Sequence, residues 1–112
     1  MWYYLAMEIR EFLDDQGRSP FGLWFEGLDS MAAVKVTTAI TRMSLGNFSN
    51  AKGVGEGVLE YRIDYGPGYR IYFGKDGDRL VILIAGGTKK RQQADIKTAQ
   101  ARWAEYKKRK AG

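Results

Sequence analysis

The sequence contains neither cysteine nor histidine among its 112 residues. Without cysteine the chain has no disulfide framework and no thiolate chemistry, which is consistent with a reducing compartment. The lack of histidine removes the commonest metal ligand and the usual proton-transfer residue near neutral pH. We therefore expect no metal site and no cofactor. Any acid–base chemistry falls to Glu, Asp, Lys, Tyr or an assisting partner.

Long apolar runs are also missing. The start WYYLAM is followed at once by Glu8 and Arg10, has no basic n-region, and is far shorter than a signal core or a membrane span. The expected location is the cytoplasm, with no membrane association. A chain of this length predicts one domain, residues 1–112, which buries enough surface to fold without metal or disulfide staples.

Positive charge is concentrated near the C-terminus. Residues 89–110 contain nine Lys or Arg and two acidic residues, a balance of +7, while the rest of the chain has nine basic and eleven acidic residues, a balance of −2. Such asymmetry predicts an acidic partner, either nucleic acid or the acidic surface of another protein. The alternative is a solvated helix face that ends in a frayed basic tail, residues 104–112.

Apolar residues alternate along LEYRIDYGPGYRIYF, residues 59–73, and alternate residues of a strand point to opposite faces of a sheet. With residues 66–68 as a three-residue turn, the predicted hairpin pairs Tyr65 with Tyr69 and Arg62 with Tyr72. Its apolar face consists of Leu59, Tyr61, Ile63, Tyr65, Tyr69, Ile71 and Phe73. Its polar face consists of Glu60, Arg62, Asp64, Arg70 and Tyr72. A sheet needs only the apolar face to fold, so the polar face is a candidate site.

The remaining pattern predicts an α+β domain: a small, mostly antiparallel sheet with an N-terminal helix pair and a C-terminal helix. The predicted elements are a strand over 2–9, a helix from Ser19-Pro20, a second helix from Asp29 or Ser30 to about Leu45, a loop over 46–57, a strand over 80–84 buried on both faces, and a final helix. The last strand is expected to break at Gly86-Gly87-Thr88.

Apolar stripes at helical spacing predict which helix faces point inward. For the second helix the predicted stripe is Met31, Val34, Thr38, Thr41 and Leu45. For the last helix it is Ile96, Ala99, Trp103 and Tyr106. Two further motifs are better explained as turns: the glycines at 53, 55 and 57 lack the Gly-Lys-Ser/Thr of a nucleotide loop, and Asp76 and Asp78 supply too few oxygens for calcium.

Basic residues from three segments are expected to converge on the polar hairpin face. Arg62 and Arg70 lie on its two strands, Lys89 and Lys90 come where a strand ends and the last helix begins, and Lys52 precedes the hairpin. A helix N-terminus favours anions, and arginine makes bidentate contacts to phosphate and stabilises a pentavalent transition state. The arrangement suits RNA. The alternative is an exposed ion-pair lattice of arginines with Glu60 and Asp64, worth only about 0–1 kcal/mol per pair.

Two blocks of this sequence resemble a known family. They are E-x-R-I-x-x-G-x-G-Y-R, residues 60–70, and G-G-x-K-x-x-Q-x-x-D-I, residues 86–96. From about Phe21 to Ala99 the chain is similar to the HigB-like branch of the RelE/ParE toxin superfamily, also called putative addiction-module killer proteins. The resemblance implies a RelE-like, microbial-ribonuclease-type fold.

The implied activity is that of a type II toxin, a metal-independent endoribonuclease that cleaves mRNA on the ribosome and inhibits translation. The implied partners are mRNA, the ribosome and a cognate antitoxin, a small helix-turn-helix protein of HigA type. The resemblance implies that Arg62, Arg70 and Lys89 are catalytic. From the residues themselves we add Glu60 as a catalytic candidate. The candidate RNA- or phosphate-binding residues are Lys52, Tyr72, Lys90, Gln92, Gln93 and Asp95. Lys90 replaces Lys89 if the match shifts by one residue.

The chain departs from the RelE pattern at two positions: the tyrosine of the RelE helix falls near Asp95, and Glu60 stands where RelE has a lysine. The general base therefore stays open among Glu60, Tyr72, Asp95 and the ribosome. Two other functions also stay open. One is ParE-like, non-enzymatic inhibition of DNA gyrase, and the other is an inactive binding module on the same scaffold.

Overall fold

The computed structural model describes residues 6–112, which form a five-stranded sheet with helices packed on both faces. The elements are β1 Glu8–Glu11, α1 Pro20–Glu26, α2 Ser30–Ser44, β2 Ala51–Gly53, β3 Leu59–Ile63, β4 Tyr69–Asp76, β5 Leu80–Thr88, and, after a 3₁₀ turn Lys89–Arg91, α3 Gln92–Ala111. The predicted α+β class, with a helix pair before a mostly antiparallel sheet and a helix after it, is confirmed.

The strands are arranged in the order β1-β5-β4-β3-β2, with β1 parallel to β5 and every other pair antiparallel. The first strand was predicted over residues 2–9, and β1 is found at Glu8–Glu11. Residues 2–5 of the predicted strand lie outside the described part of the chain. The predicted loop over 46–57 is wrong in part, because Ala51–Gly53 forms β2. Three residues at a sheet edge are too few to show a strand period.

Both N-terminal helices begin at the predicted cap residues, α1 after Ser19 and α2 after Asp29. The Ser19 hydroxyl accepts a hydrogen bond from the Gly22 N–H at 2.8 Å, and Asp29 Oδ1 accepts one from the Ala32 N–H at 2.9 Å. These caps satisfy N–H groups that the first helical turn leaves unpaired.

The predicted inner face of α2 is wrong. Met31, Val34 and Leu45 are 54–66% exposed, and both threonines of that stripe are exposed as well. The buried residues are Ala32, Val36, Ala39 and Met43. Because α2 has apolar residues on more than one side, periodicity alone left two faces possible. The face with two alanines packs on the sheet, where small side chains allow close approach.

The hairpin pairs two residues away from the predicted register. Ile63, not Tyr65, lies opposite Tyr69, and Arg62 lies opposite Arg70. The Gly68 N–H donates to the Tyr65 carbonyl at 3.0 Å, so the turn begins at Tyr65 and the whole loop spans residues 64–68. Because side chains alternate with period two, a two-residue shift leaves both predicted faces intact.

Each face of the sheet has its own core. The apolar hairpin face packs with Phe21 of α1 and Val36, Ala39 and Met43 of α2. The opposite face includes Tyr72, Ile82 and Ile84, covered by Ala99 and Trp103 of α3. The predicted α3 stripe and the doubly buried strand at 80–84 are therefore confirmed.

Two expectations near the C-terminus are wrong. β5 continues through Gly86 and Gly87 to Thr88 instead of breaking there. Residues 104–111, expected to be frayed, are the last turns of α3. There the Arg109 guanidinium donates to the Leu13 carbonyl and to Asp15, which ties the helix end to the segment after β1.

Candidate phosphate-binding site on the sheet

The polar hairpin face forms two rows across the sheet, on the side that α3 covers. In the first row Lys52 of β2 lies opposite Glu60, which lies opposite Tyr72. In the second row Arg62 lies opposite Arg70, and Arg70 lies opposite Gly87 of β5. The sheet therefore places Glu60, Arg62, Arg70 and Tyr72 on one face, as predicted, whereas Asp64 lies in the loop after β3.

Glu60 is the centre of a buried hydrogen-bond network. Its side chain is 0% exposed, and its two oxygens accept from Arg62 Nε and from Gln92 Nε2, each at 2.9 Å. Burial by itself raises the pKa of Glu60, but the hydrogen bonds from Arg62 and Gln92 outweigh it, and the pKa lies below its usual value. Glu60 is thus a buried carboxylate that fixes the guanidinium of Arg62.

The two arginines of the second row have different environments. The Arg62 side chain is 43% exposed, while Arg70 is 7% exposed. The Arg70 Nε is buried and has no hydrogen-bond partner within residues 6–112. Like charges directly opposite on paired strands are destabilising, and a buried unpaired donor costs about 1–3 kcal/mol. An anion bound between the two guanidinium groups would remove both costs.

Tyr72 is fully buried beside this pair. Within residues 6–112 its hydroxyl makes no hydrogen bond of acceptable geometry, although the Glu60 carboxylate lies near enough to interact with it. Burial, followed by the nearby Glu60 carboxylate, raises the pKa of Tyr72 far above its usual value. At neutral pH the Tyr72 phenol is protonated, and it offers a hydrogen-bond donor.

Lys89 is held against the hairpin turn. Its backbone N–H donates to the Gly68 carbonyl at 2.8 Å, and a Cβ added at Gly68 would lie 3.3 Å from Lys89 Cβ. Gly68 has a φ of +78°, which a side chain would strain. This contact places the end of β5 beside the hairpin turn, two residues before Arg70 in the chain. The predicted convergence of Lys89 with the hairpin is therefore seen at the backbone.

The remaining predicted residues divide into two groups. Lys52, Lys90 and Gln93 are exposed around the face, and Gln92 is built into the Glu60 network. Asp95 instead lies over Gly87, where an added Cβ would be 2.0 Å from Asp95 Oδ2. There it lines a cavity of about 400 Å³ beside the end of β5.

The sequence analysis missed three residues that line this cavity: Trp24, Arg91 and Arg102. No role in the site was predicted for Trp24, and the two arginines were counted only in the charge balance of residues 89–110. The available signal was the Gly86-Gly87 pair. An added Cβ at Gly86 would lie 2.0 Å from the Trp24 ring, so both glycines mark a close approach.

No group of three or more Asp or Glu side chains within residues 6–112 has the spacing of a metal site. In the same range no helix is both long and apolar enough to cross a membrane.

The amino-acid sequence was compared with family models and with known proteins. The model of the phage-derived protein Gp49-like family (DUF891) matches residues 23–107. The chain belongs to the Gp49-like family. This is a toxin-like family of addiction modules, and membership implies an antitoxin partner. An uncharacterized protein of Haemophilus influenzae is 42% identical over 81 residues, which are 71% of this chain and 82% of that protein. The residues that match the family model include the hairpin, β5 and most of α3.

Proposed function

We propose that this protein is the toxin of a type II toxin–antitoxin system and that it cleaves mRNA on the ribosome, as the resemblance to HigB-like and RelE-like toxins implies. Gp49-like family membership supports a toxin. The observation that supports a ribonuclease is the Arg62–Arg70 cross-strand pair, which has an unpaired buried donor and lies beside Lys89. A gyrase inhibitor needs no such anion site.

In the proposed reaction the RNA 2′-hydroxyl attacks the adjacent phosphorus, and the bond from phosphorus to the 5′-oxygen breaks. The 2′-hydroxyl gives its proton to solvent and the 5′-oxygen takes up a proton from solvent, so the products are a 2′,3′-cyclic phosphate and a 5′-hydroxyl. Arg62, Arg70 and Lys89 stabilise the additional negative charge of the pentavalent transition state. Lys52, Lys90 and Gln93 lie exposed around the face and contact neighbouring phosphates or sugars.

Glu60 acts in this proposal as a positioning residue. A carboxylate that is buried, occupied by two donors and lowered in pKa is a weak and inaccessible base. Tyr72 is protonated at neutral pH and serves as a donor. The protein therefore contributes charge stabilisation and orientation, and positioning of the mRNA by the ribosome supplies the rest; orientation alone lowers barriers by roughly 7–11 kcal/mol.

The proposed antitoxin is a small, acidic helix-turn-helix protein of HigA type, which covers part of the basic surface. Because mRNA and ribosomes are the proposed substrates, the proposed site of action is the cytoplasm. Co-purification with the product of a neighbouring reading frame tests this partner. Recovery of the toxin alone at full yield, with no growth arrest in the producing cell, would contradict it.

Brief induction followed by primer extension on cellular mRNA tests the proposed activity. We expect discrete cleavages in translated regions, and we expect Arg70→Ala to abolish both the cleavages and the growth arrest. Arg79→Ala is the matched control, because Arg79 is exposed in the β4–β5 turn. Linearised DNA with intact mRNA would instead support the ParE-like alternative, and undiminished toxicity of Arg70→Ala in a folded protein would exclude the proposed site.

A further inference from the structure

The cavity beside the end of β5 has the composition of a nucleobase site. Its volume is about 400 Å³, and it is lined by Trp24 of α1, by the backbone of residues 85–88, and by Arg91, Asp95 and Arg102 near or within α3. Aromatic rings, carboxylates and guanidinium groups are the side chains with which proteins hold unstacked bases and their phosphates.

We propose that this cavity binds a guanine nucleotide of the RNA, with the base against Trp24 and its Watson–Crick edge on Asp95. The inference rests on the proposed function for RNA as the natural ligand. In this proposal the polar hairpin face binds the phosphate, and the cavity selects the base next to the cleaved bond.

Asp95 is the residue that selects the base. Within residues 6–112 its carboxylate makes no hydrogen bond and no ion pair, although Arg91 and Arg102 are near enough for their charges to act on it. The missing side chain at Gly87 leaves room for the carboxylate to lie directly on β5. A partly buried carboxylate with unfilled acceptors, facing a cavity, is placed to accept hydrogen bonds from a ligand that enters the cavity.

Guanine matches this requirement better than the other bases. Its Watson–Crick edge presents the N1–H and the 2-amino group side by side, and an ionised carboxylate has only acceptors. Adenine and cytosine place an acceptor nitrogen next to their amino group, and this nitrogen would face a carboxylate oxygen. Uracil offers one N–H between two carbonyls.

The arginines and the indole complete the nucleotide site. Arg91 is exposed at the start of α3 and is available to a phosphate. Arg102 is half-buried and its guanidinium donates to the Ile84 carbonyl at 3.4 Å. The Trp24 ring covers Gly86 and forms an apolar wall.

The cavity is also adjacent to the proposed cleavage site. Gly87, on which Asp95 lies, is directly opposite Arg70 in the sheet, and Thr88 at the cavity rim precedes Lys89. A nucleotide in the cavity thus neighbours the phosphate held by Arg62, Arg70 and Lys89. The expected consequence is a preference for guanine beside the cleaved bond.

Titration of the purified protein with 5′-GMP and 5′-IMP tests this assignment without any cleavage. Inosine keeps the N1–H but lacks the 2-amino group. The readout is the NMR signal of the Trp24 indole N–H, assigned with a Trp24→Phe variant. We expect GMP to shift this signal and IMP to bind at least about tenfold more weakly, which corresponds to one lost hydrogen bond to a charged group. Equal shifts by GMP, IMP and AMP, or none at all, would overturn the assignment.

Asp95→Asn is the decisive variant, and Asp78→Asn is its control with the same charge change at an exposed turn. We expect Asp95→Asn to lose the difference between GMP and IMP and Asp78→Asn to keep it. If the wild-type protein cleaves no mRNA but still distinguishes GMP from IMP, the proposed function fails and the guanine site stands. Suppose instead that the protein cleaves mRNA, and that Asp95→Asn changes neither the preference for GMP over IMP nor the preference for guanine beside the cleaved bond. The proposed function then stands and only the guanine site fails.

Discussion

At the scale of single residues, the Glu60 network determines how the polar hairpin face is organised. Glu60 accepts from Arg62 on its own strand and from Gln92, 32 residues away at the start of α3. The hydrogen bond from Arg62 Nε to Glu60 fixes the half-exposed guanidinium before any ligand binds. The hydrogen bond from Gln92 to Glu60 joins α3 to the sheet at the same point. Because the Glu60 carboxylate is buried, loss of these donors would leave an uncompensated charge, which is strongly destabilising.

Glu60→Gln tests the positioning role. We expect the free energy of unfolding at pH 7 to fall by about 1–3 kcal/mol, because two charge-assisted hydrogen bonds are weakened. The folded pKa of Glu60 is lowered, so its stabilisation is present above its usual pKa of 4.5 and is lost as the pH falls through the lower folded value. Denaturant unfolding at pH 7 and in acid should show the difference from wild type shrinking in acid.

The matched control is Glu26→Gln, at an exposed position at the end of α1, for which we expect a change within about 0.5 kcal/mol. Cleavage kinetics separate positioning from base catalysis. A positioning residue lowers the rate and leaves the pH profile unchanged. If Glu60 were the base, the rate of the wild-type protein would rise as the pH increases through the lowered pKa of Glu60, and Glu60→Gln would lose this acid-range rise.

At the scale of elements, β5 connects the two helical layers through its paired glycines. Gly86 faces Trp24 of α1 on one side of the sheet, and Gly87 faces Asp95 of α3 on the other. Adjacent strand residues point to opposite faces, so two consecutive glycines allow close approach from both sides. The cavity at the end of β5 is formed by these two contacts.

Gly86→Ala tests this close approach. The added Cβ would lie 2.0–2.4 Å from three atoms of the Trp24 ring, so the indole must move. We expect a loss of about 1–3 kcal/mol in unfolding free energy. Gly53→Ala in the exposed edge strand β2 meets nothing within 4 Å and should be neutral or slightly stabilising. Thermal unfolding of both variants measures the contrast, and equal melting temperatures would contradict it.

At the scale of the whole molecule, positive charge follows one helix. The segment 89–110, with its balance of +7, is the 3₁₀ turn and most of α3, and it starts beside the polar hairpin face, where Gln92 donates to Glu60. Lys107 and Lys108 are exposed near its end. The structure therefore offers a long basic helix surface for a polyanion or an acidic protein, and residues 104–111, which the alternative took as a frayed tail, are helical.

The double variant Lys107→Glu/Lys108→Glu should weaken RNA binding and reduce its salt dependence. For single-stranded RNA each lost phosphate contact lowers the slope of log K against log salt by about 0.7, so we expect a decrease of about 1.4. Lys35→Glu/Arg42→Glu makes the same charge change on α2, on the other face of the sheet, and should leave the slope largely unchanged. Filter binding at several salt concentrations measures both, and equal slopes would show that only net charge matters.

Local patterns in the sequence were sufficient for the helix starts at Ser19 and Asp29, the two hairpin faces and the buried run in β5. Each of these depends on residues close together in the chain, through capping, alternation or turn chemistry. The resemblance carried by residues 60–70 and 86–96 also came from the sequence, and it led to the toxin-like family.

Only the tertiary structure decided the rest. The hairpin register is one example, because a two-residue shift preserves every face. Others are the inner face of α2, the continuation of β5 through Gly86 and Gly87, the burial of Glu60 and the cavity at Asp95. Each depends on contacts between segments far apart in the chain, such as Gln92 with Glu60 or Trp24 with Gly86. Local periodicity contains no information about which distant residue fills a given space.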